Sequence, residues 1–439
     1  MRDECSMTGC HGLNVEVDLS NVGDNYLFVK HMCPTAEVAA VVKADAYGLG
    51  ARAVSQHLAA LGCGVYFVAH LNEAMDLRRH VRDASIYVLN GLMPGTGDVY
   101  RALGLKPVLT SETQLAEWVA YCREKGWRGT AALHVDTGIN RLGFRLEEIA
   151  AVRDAVAGDP DLFDLVLSHL ACGDVVDHPR NRQQMDAFVW ARRELSAVPR
   201  ASLAATAGCF LGREAHFDLV RPGIGLYGGN PFSGGPNPFS HVVSVSARLL
   251  QVKIHRKGEY VGYGDSHRLA ADSLVGVISF GYADGVPRRA GQQEDAAPLS
   301  VHYRGQELPI LGRISMDMSM IDLTPVAALN PGIGQLVHIC SPAQPLDALA
   351  RIYGSIPNEV LTSLGRRAER IYFTRDNIEG CRPGRWSDPG ASRTAPTIDA
   401  EPLAGIAPPP CGGVPSCPPQ LLPLCRDQAS TRRREVARP

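Results

Sequence analysis

Apolar and polar positions fall into two textures along the chain. From about residue 14 to residue 229, short apolar runs rich in β-branched residues are separated by stretches whose apolar residues recur three and four apart. That spacing predicts strands over 14–18, 37–42, 64–69, 84–89, 107–109, 130–135, 162–168, 201–204 and 219–226. It predicts helices over 51–61, 71–80, 111–125, 146–157 and 182–195. Ser111-Glu112-Thr113-Gln114 supplies an N-cap hydroxyl and an acceptor three residues on, a helix start. Eight or so βα units in about 220 residues predict a (β/α)8 barrel of the TIM type. An open doubly wound sheet fits less well, because no GxGxxG follows the first strand.

After residue 238 the texture changes. Short strands with turn residues between them are predicted over 242–254, 273–279, 298–303, 307–311 and 335–339, and helical spacing returns only over 346–353. This reads as a separate, mostly β domain. Beyond Phe373 the chain is rich in Pro, Arg, Gly and Ser with little periodic apolar content, which predicts a disordered tail. The expected organisation is an N-terminal extension (1–11), a barrel (12–238), a β domain (239–375) and the tail (376–439). No internal repeat is visible.

Composition narrows the function classes. A net charge of −2 makes no case for nucleic acid or an anionic membrane surface. No apolar run approaches the roughly 20 residues of a membrane span. The first twelve residues lack the apolar core of a signal peptide, so the cytoplasm is the expected location. The 12 cysteines are mostly scattered: Cys63, Cys122, Cys172, Cys209 and Cys340 lie in apolar or helical segments and read as core residues. With no CxxC pair and no accompanying His pattern, no metal site is expected.

The chemistry concentrates at predicted strand ends. Lys43 closes the apolar run 37–42 just before a turn of small residues, where a strand hands over to a helix. In βα folds that rim carries the active site. A lysine there is either a surface residue at a loop start or a group held for chemistry. Tyr47 follows it, His134 to Arg141 follow another strand, Ser168-His169 close the next, then comes Thr206, and Arg221 to Gly225 close the last. Singly, His169 reads as a core histidine and Arg221 as a surface charge. Together, polar groups from several strands on one barrel face are what a catalytic site requires. Thr206 and the Gly223–Gly225 loop can offer a hydroxyl and backbone N–H groups to a phosphate. A lysine beside a phosphate cradle points to pyridoxal phosphate, whose aldehyde a lysine can hold.

Seven motifs then occur in order: VVKADAYGLG (41–50), VDTGINRLGF (135–144), LSHLA (167–171), FDLVRPGIGLYG (217–228), VGYGD (261–265), GYADGVPRR (281–289) and GRISMDM (312–318). Over 15–372 the chain resembles the alanine racemases, pyridoxal-phosphate enzymes of fold type III with a barrel and a C-terminal β domain. The resemblance implies that Lys43 carries the cofactor and acts as base on one face of the substrate, while Tyr263 acts on the other. Racemisation needs one group to remove the α-proton and another to return a proton from the opposite side. A phenol titrates near 10 and needs help to act as a base at neutral pH. The resemblance assigns that help to His169 and Arg221, with Arg221 also facing the cofactor's ring nitrogen. Arg141 would bind the cofactor's phenolic oxygen and the substrate carboxylate, and Tyr47, Thr206, Gly223 and Ile224 the phosphate. The Met316 backbone N–H would touch the substrate carboxylate. Tyr263, Met316 and Asp317 would reach the barrel of the other subunit in a head-to-tail homodimer.

Three positions depart from the family pattern. His134 stands where many members carry a lysine that is modified to a carbamate pairing with the arginine. Ala205-Thr206 replaces Asn-Ser, keeping the hydroxyl and losing the amide. Asn358 replaces a tyrosine near the phosphate and the mouth of the site; it can still donate to phosphate but widens the opening. The expected activity is interconversion of L- and D-alanine, supplying D-alanine for peptidoglycan. A racemase with a broader range, covering serine or other small amino acids, is the alternative. A non-catalytic pyridoxal-phosphate protein would resemble the barrel alone. A decarboxylase of the same fold type would place an acidic residue where Arg221 stands.

Overall fold

The computed structural model describes residues 11–291 and 299–375; the N-terminal extension before His11 and the tail after Arg375 lie outside the described residues. Strands Ala40–Val41, Val65–Val68, Ser85–Val88, Lys106–Leu109, Ala131–His134, Phe163–Leu167 and Arg200–Ser202 form one parallel sheet in chain order. Leu219–Val220 pairs in parallel with Glu37–Val38, immediately ahead of the first of these strands. The Arg221 N–H donates to Ala204 O at 2.8 Å and the Val41 N–H to Pro222 O at 3.0 Å, so the eighth strand closes the sheet into a barrel. The strands are short and almost wholly apolar because both of their faces are buried; Tyr66, Phe67, Tyr87, Leu133 and Val166 have no exposed surface.

Helices cover the outside. Ser111 caps Glu112–Lys125 through its hydroxyl, as its position predicts, and Asp18 caps Leu19–Met32 by accepting the Asn21 N–H at 3.1 Å. At the N-terminal end of the barrel, the Asp164 carboxylate accepts from the Tyr87 and Thr130 hydroxyls, each at 3.0 Å, and from the Lys106 ammonium.

The second domain is a closed antiparallel ring. Its strands run in the order Ser273–Ile278, Ser319–Asp322, Gln306–Leu311, Ser300–Tyr303, Leu336–Cys340 and Val243–His255. The 13-residue strand Val243–His255 pairs with Leu336–Cys340 along its first half and with Ser273–Ile278 along its second, which joins the two ends of the sheet. Strands Leu13–Asp18 and Glu369–Phe373 extend this sheet beyond Val243–His255.

The expected barrel strand at 14–18 is therefore placed differently: it belongs to the sheet of the β domain. The reason is readable in its side chains. Apolar Leu13, Val15 and Val17, all buried, alternate with polar Asn14, Glu16 and Asp18, of which only Asn14 is buried too; this is the period-two pattern of a strand with one apolar face. Barrel strands such as Val65–Val68 show apolar runs without that alternation instead. The predicted strand 219–226 is only Leu219–Val220, because Pro222 and Gly223 turn the chain into the 3-10 turn Ile224–Tyr227. Helices Leu19–Met32, Gly97–Leu103 and Pro357–Ser363 and strand Glu369–Phe373 are additions to the predicted set. Of the cysteines read as core, Cys63, Cys122, Cys209 and Cys340 are buried and Cys172 is half-buried. Among the described residues no helix is long and apolar enough to cross a membrane.

Candidate active site

A cavity of about 660 Å³ opens at the C-terminal ends of the barrel strands. Lys43, Tyr47, His134, Arg141, His169, Ala205, Thr206, Arg221, Gly223 and Ile224 line it from the barrel, and Asn358 lines it from the start of helix Pro357–Ser363. The barrel residues come from the ends of five strands, Ala40–Val41, Ala131–His134, Phe163–Leu167, Arg200–Ser202 and Leu219–Val220, so the barrel's order brings them together, and Asn358 is added from outside it.

Lys43 opens an unusual segment. Ala44, Asp45, Ala46 and Tyr47 all have φ between 52° and 56°, four consecutive residues with side chains in the left-handed helical region. Each costs about 1–2 kcal/mol relative to a right-handed turn. Packing and hydrogen bonds hold the turn against that strain. Ala46 and Tyr47 are buried, and the Tyr47 ring lies 4.8 Å from that of Tyr227, whose hydroxyl donates to Val41 O at 2.8 Å. The Asp45 carboxylate accepts the Ala51 N–H at 2.7 Å, and the Arg370 guanidinium reaches from the β domain to Gly48 O at 2.7 Å. The Glu73 carboxylate accepts the Ala44 N–H at 2.7 Å. Gly48 is needed for space as well as for its φ of 84°, since a Cβ there would stand 2.8 Å from Leu361 O.

Arg141 sits on a loop whose ends are fastened together: the Phe144 N–H donates to His134 O at 2.7 Å and the Asp136 N–H to Phe144 O at 2.8 Å. Within the loop the Asp136 carboxylate accepts the N–H groups of Gly138, Ile139 and Asn140 at 2.9, 3.0 and 3.1 Å. The His169 loop is held by Gln184, which donates to His169 O at 3.1 Å and accepts the Ala171 N–H at 2.8 Å. The buried Arg221 guanidinium donates to the Ser202 hydroxyl at 2.5 Å and to the backbone oxygens of Ser168 at 2.6 Å and Leu203 at 3.4 Å. Its carbon lies 5.8 Å from the centre of the Phe67 ring.

The electrostatics are those of an anion site. Lys43, Arg141 and Arg221 line the cavity against one carboxylate among its lining residues, Asp174, which is engaged with the Ser233 hydroxyl. Burial, followed by the Arg141 cation, lowers the Lys43 ammonium below its ordinary value, while the Glu73 carboxylate opposes that shift. Burial and the cations of Arg221 and Arg141 push His169 down to about 3, and burial and Arg221 push His134 down to about 4, so both imidazoles are neutral near pH 7. Burial lowers Arg221 to about 10, which leaves it a cation, and raises the Tyr47 phenol to about 12.

These groups fit pyridoxal phosphate. Thr206 Oγ1 accepts the Gly223 N–H at 2.9 Å, so its own proton is available to a phosphate oxygen. A Cβ on Gly223 would stand 2.4 Å from the Tyr47 hydroxyl, so only glycine lets that phenol approach the cradle. Buried His134 Nε2 has no hydrogen-bond partner among the protein atoms. The cavity volume suits a ligand of this size.

Tyr263 and Met316 do not line the cavity of their own chain. Tyr263 lies between Gly262 and Gly264, both at positive φ, and is 66% exposed; Met316 is 53% exposed. Both project from the β domain. Glu73, Gln184, Ser202 and Arg370 are site-supporting residues that the strand-end pattern does not single out. The one available signal was for Glu73, three residues after His70 at a helix start.

Residues 17–231 match the family model described as alanine racemase, N-terminal domain, and residues 242–372 that of alanine racemase, C-terminal domain. The chain is 41% identical over 368 residues to a catabolic alanine racemase of Agrobacterium fabrum, covering 82% of this chain and 92% of the relative. It is 39% identical over 373 residues to the biosynthetic alanine racemase of the same organism, covering 83% and 95%. Among solved structures, alanine racemase from Bartonella henselae with covalently bound pyridoxal phosphate superposes with a TM-score of 0.76 at 35% identity, covering 82% of this chain and 99% of that one.

Proposed function

The chain belongs to the alanine racemase family, and we propose that it interconverts L- and D-alanine by a two-base mechanism with Lys43 and the partner subunit's Tyr263 as its acid–base pair. The observation that carries this reading is the convergence of Lys43, Arg141 and Arg221 with the Thr206–Gly223–Tyr47 cradle on one cavity. Bound pyridoxal phosphate supplies the electron sink that acidifies the substrate's α C–H.

The remaining roles fall to this chain's own residues. Thr206, Tyr47, Gly223, Ile224 and Asn358 hold the phosphate end. Arg141 holds the substrate carboxylate through its planar fork. Lys43, whose burial favours the neutral amine, exchanges the α-proton at Nζ on one face. Tyr263 of the partner subunit exchanges a proton at its hydroxyl on the other. Its high exposure in the single chain is what a residue that completes a neighbour's site requires. The partner's Met316 would offer its N–H to the substrate carboxylate. Arg221 would hold a fixed cation beside the ring of the bound cofactor, which would disfavour protonating that ring and so suppress transamination. His169 and Arg221 form the support for the partner's phenol. A cytoplasmic setting and D-alanine supply for peptidoglycan complete the proposal.

A racemisation assay with added pyridoxal phosphate across alanine, serine and lysine tests it. Alanine turnover is expected, together with loss of the cofactor's absorbance band on Lys43→Ala; a band that survives the substitution removes Lys43 from its role. A second reading, a racemase of wider range, rests on Asn358 in the cavity wall, which leaves room for side chains larger than methyl. Serine turnover comparable to alanine in the same assay decides for it.

A further inference from the structure

We propose that Glu73 is a positioning residue for the lysine that carries the cofactor, tying the left-handed turn after Lys43 to the top of the neighbouring barrel strand. The inference rests on the role of Lys43 proposed above. Glu73 lies in the first turn of helix Leu71–Arg78. Its Oε2 accepts the His70 N–H at 3.0 Å and the Ala69 N–H at 2.7 Å, which satisfies the start of its own helix. Its Oε1 does something the helix does not need: it accepts the Ala44 N–H at 2.7 Å, across the rim of the barrel.

Ala44 is the residue after Lys43 and the first in left-handed conformation, with φ 54° and ψ 46°. Strands Ala40–Val41 and Val65–Val68 are hydrogen-bonded neighbours, Val41 beside Phe67. One carboxylate therefore locks two consecutive βα loops to each other at the peptide where the lysine's backbone changes direction. A shift of that peptide displaces the ammonium relative to Thr206, which reaches the cavity from the loop after strand Arg200–Ser202. Misplacement by about 1 Å can cost a reacting group a hundredfold.

The same carboxylate also faces Lys43 electrostatically. From the packed elements, Arg141 on the loop after Ala131–His134 and His169 on the loop after Phe163–Leu167 surround Lys43, and Glu73 is the acidic group acting on it. Burial and then Arg141 disfavour a cation at this position, and Glu73 partly offsets them.

The test uses the full chain loaded with pyridoxal phosphate. Glu73→Gln keeps the size of the side chain, but its amide nitrogen cannot accept a backbone N–H, so one of the two anchors is lost together with the charge. Two readouts other than turnover are taken: the dissociation constant of pyridoxal phosphate, and the pH midpoint of the cofactor's absorbance. We expect cofactor binding about tenfold or more weaker and a titration midpoint moved to lower pH. If Glu73→Gln does not accumulate as folded protein, Glu73→Asp serves: it retains the charge but is too short to span both loops, so weaker cofactor binding with an unmoved midpoint is expected. Parent-like affinity in whichever variant folds, even with a lowered melting temperature, reduces Glu73 to a helix cap and overturns the inference. Loss of the band in Lys43→Ala alongside parent-like behaviour of the Glu73 variants would overturn this inference alone and leave the function standing.

Discussion

Arg221 donates to the Ser202 hydroxyl at 2.5 Å inside the barrel, and Ser202 in turn donates to Leu219 O at 2.5 Å. The guanidinium is buried, so each of its N–H groups needs a fixed acceptor, and Ser202 supplies one from the strand next to its own. Ser202→Ala removes that acceptor from a buried cation. A loss of about 1–3 kcal/mol in unfolding free energy is expected, measured by urea titration. Because the guanidinium would then turn toward another acceptor, the cofactor's absorbance maximum should shift as well. An unchanged spectrum would separate Ser202 from the site and leave it a purely structural residue.

His134 gives a pH dependence of stability. Its imidazole is 7% exposed and its folded value is about 4, below the ordinary 6.5 of the unfolded chain. The unfolded state thus binds a proton more readily than the folded state between about pH 6.5 and 4. The contribution is fully present above pH 6.5 and is lost as pH falls through that window, at up to about 1.4 kcal/mol per pH unit. His134→Asn should reduce the slope of this part of the stability curve, leaving the share that His169, also held below 6.5, contributes, as read from urea midpoints at several pH values. A curve parallel to the parent's would show that this imidazole does not titrate as its burial requires.

Asp164 lies at the opposite end of the barrel and has a different consequence. It accepts from Tyr87, Thr130 and Lys106, joining neighbouring strands at their N-terminal ends. Contacts at that end of such a barrel serve stability, while the loops at the other end carry the chemistry. Asp164→Ala leaves the buried Tyr87 hydroxyl without its acceptor and the Lys106 ammonium without its counter-ion. A destabilisation of about 2–4 kcal/mol is expected, with kcat of the folded enzyme within about twofold of the parent. A large fall in kcat at unchanged fold would mean that the two ends of the barrel are coupled.

How much of this was legible in the chain differs by element. Lys43, Arg141, His169, Thr206 and Arg221 lie at strand ends, and the barrel's order alone assembles them on one cavity. Strand periodicity was enough for that. Strand Leu13–Asp18 was misplaced because its alternation was read as one more βα unit rather than as the signature of a one-sided sheet. Ser202 and Gln184 escaped because their roles depend on which backbone groups the fold leaves nearby, which no residue type or spacing announces; for Glu73 the spacing from His70 announces a helix start but not the bond to Ala44. The left-handed turn escaped for a related reason: Ala44, Asp45 and Ala46 have no intrinsic preference for positive φ, and Glu73, Arg370 and the packing of Tyr47 impose it.

The division of the site between two chains can be tested by mixing. Lys43 lines the cavity, whereas Tyr263 stands 66% exposed on the β domain outside it. If each site takes Lys43 from one chain and Tyr263 from the partner subunit, Lys43→Ala and Tyr263→Phe homodimers are each inactive in both sites. A mixed dimer, however, holds one site with both residues intact and one with neither. Random exchange of subunits makes about half of the dimers mixed, each with one working site of two, so activity should recover to about a quarter of the parent's. Mixing under mild denaturation and refolding, followed by a racemisation assay, reads this directly. If Lys43 and Tyr263 of the same chain worked together, every mixed dimer would contain only broken sites and no activity would return. The two arrangements thus differ by recovery against none, a contrast that does not depend on the absolute rate of either variant.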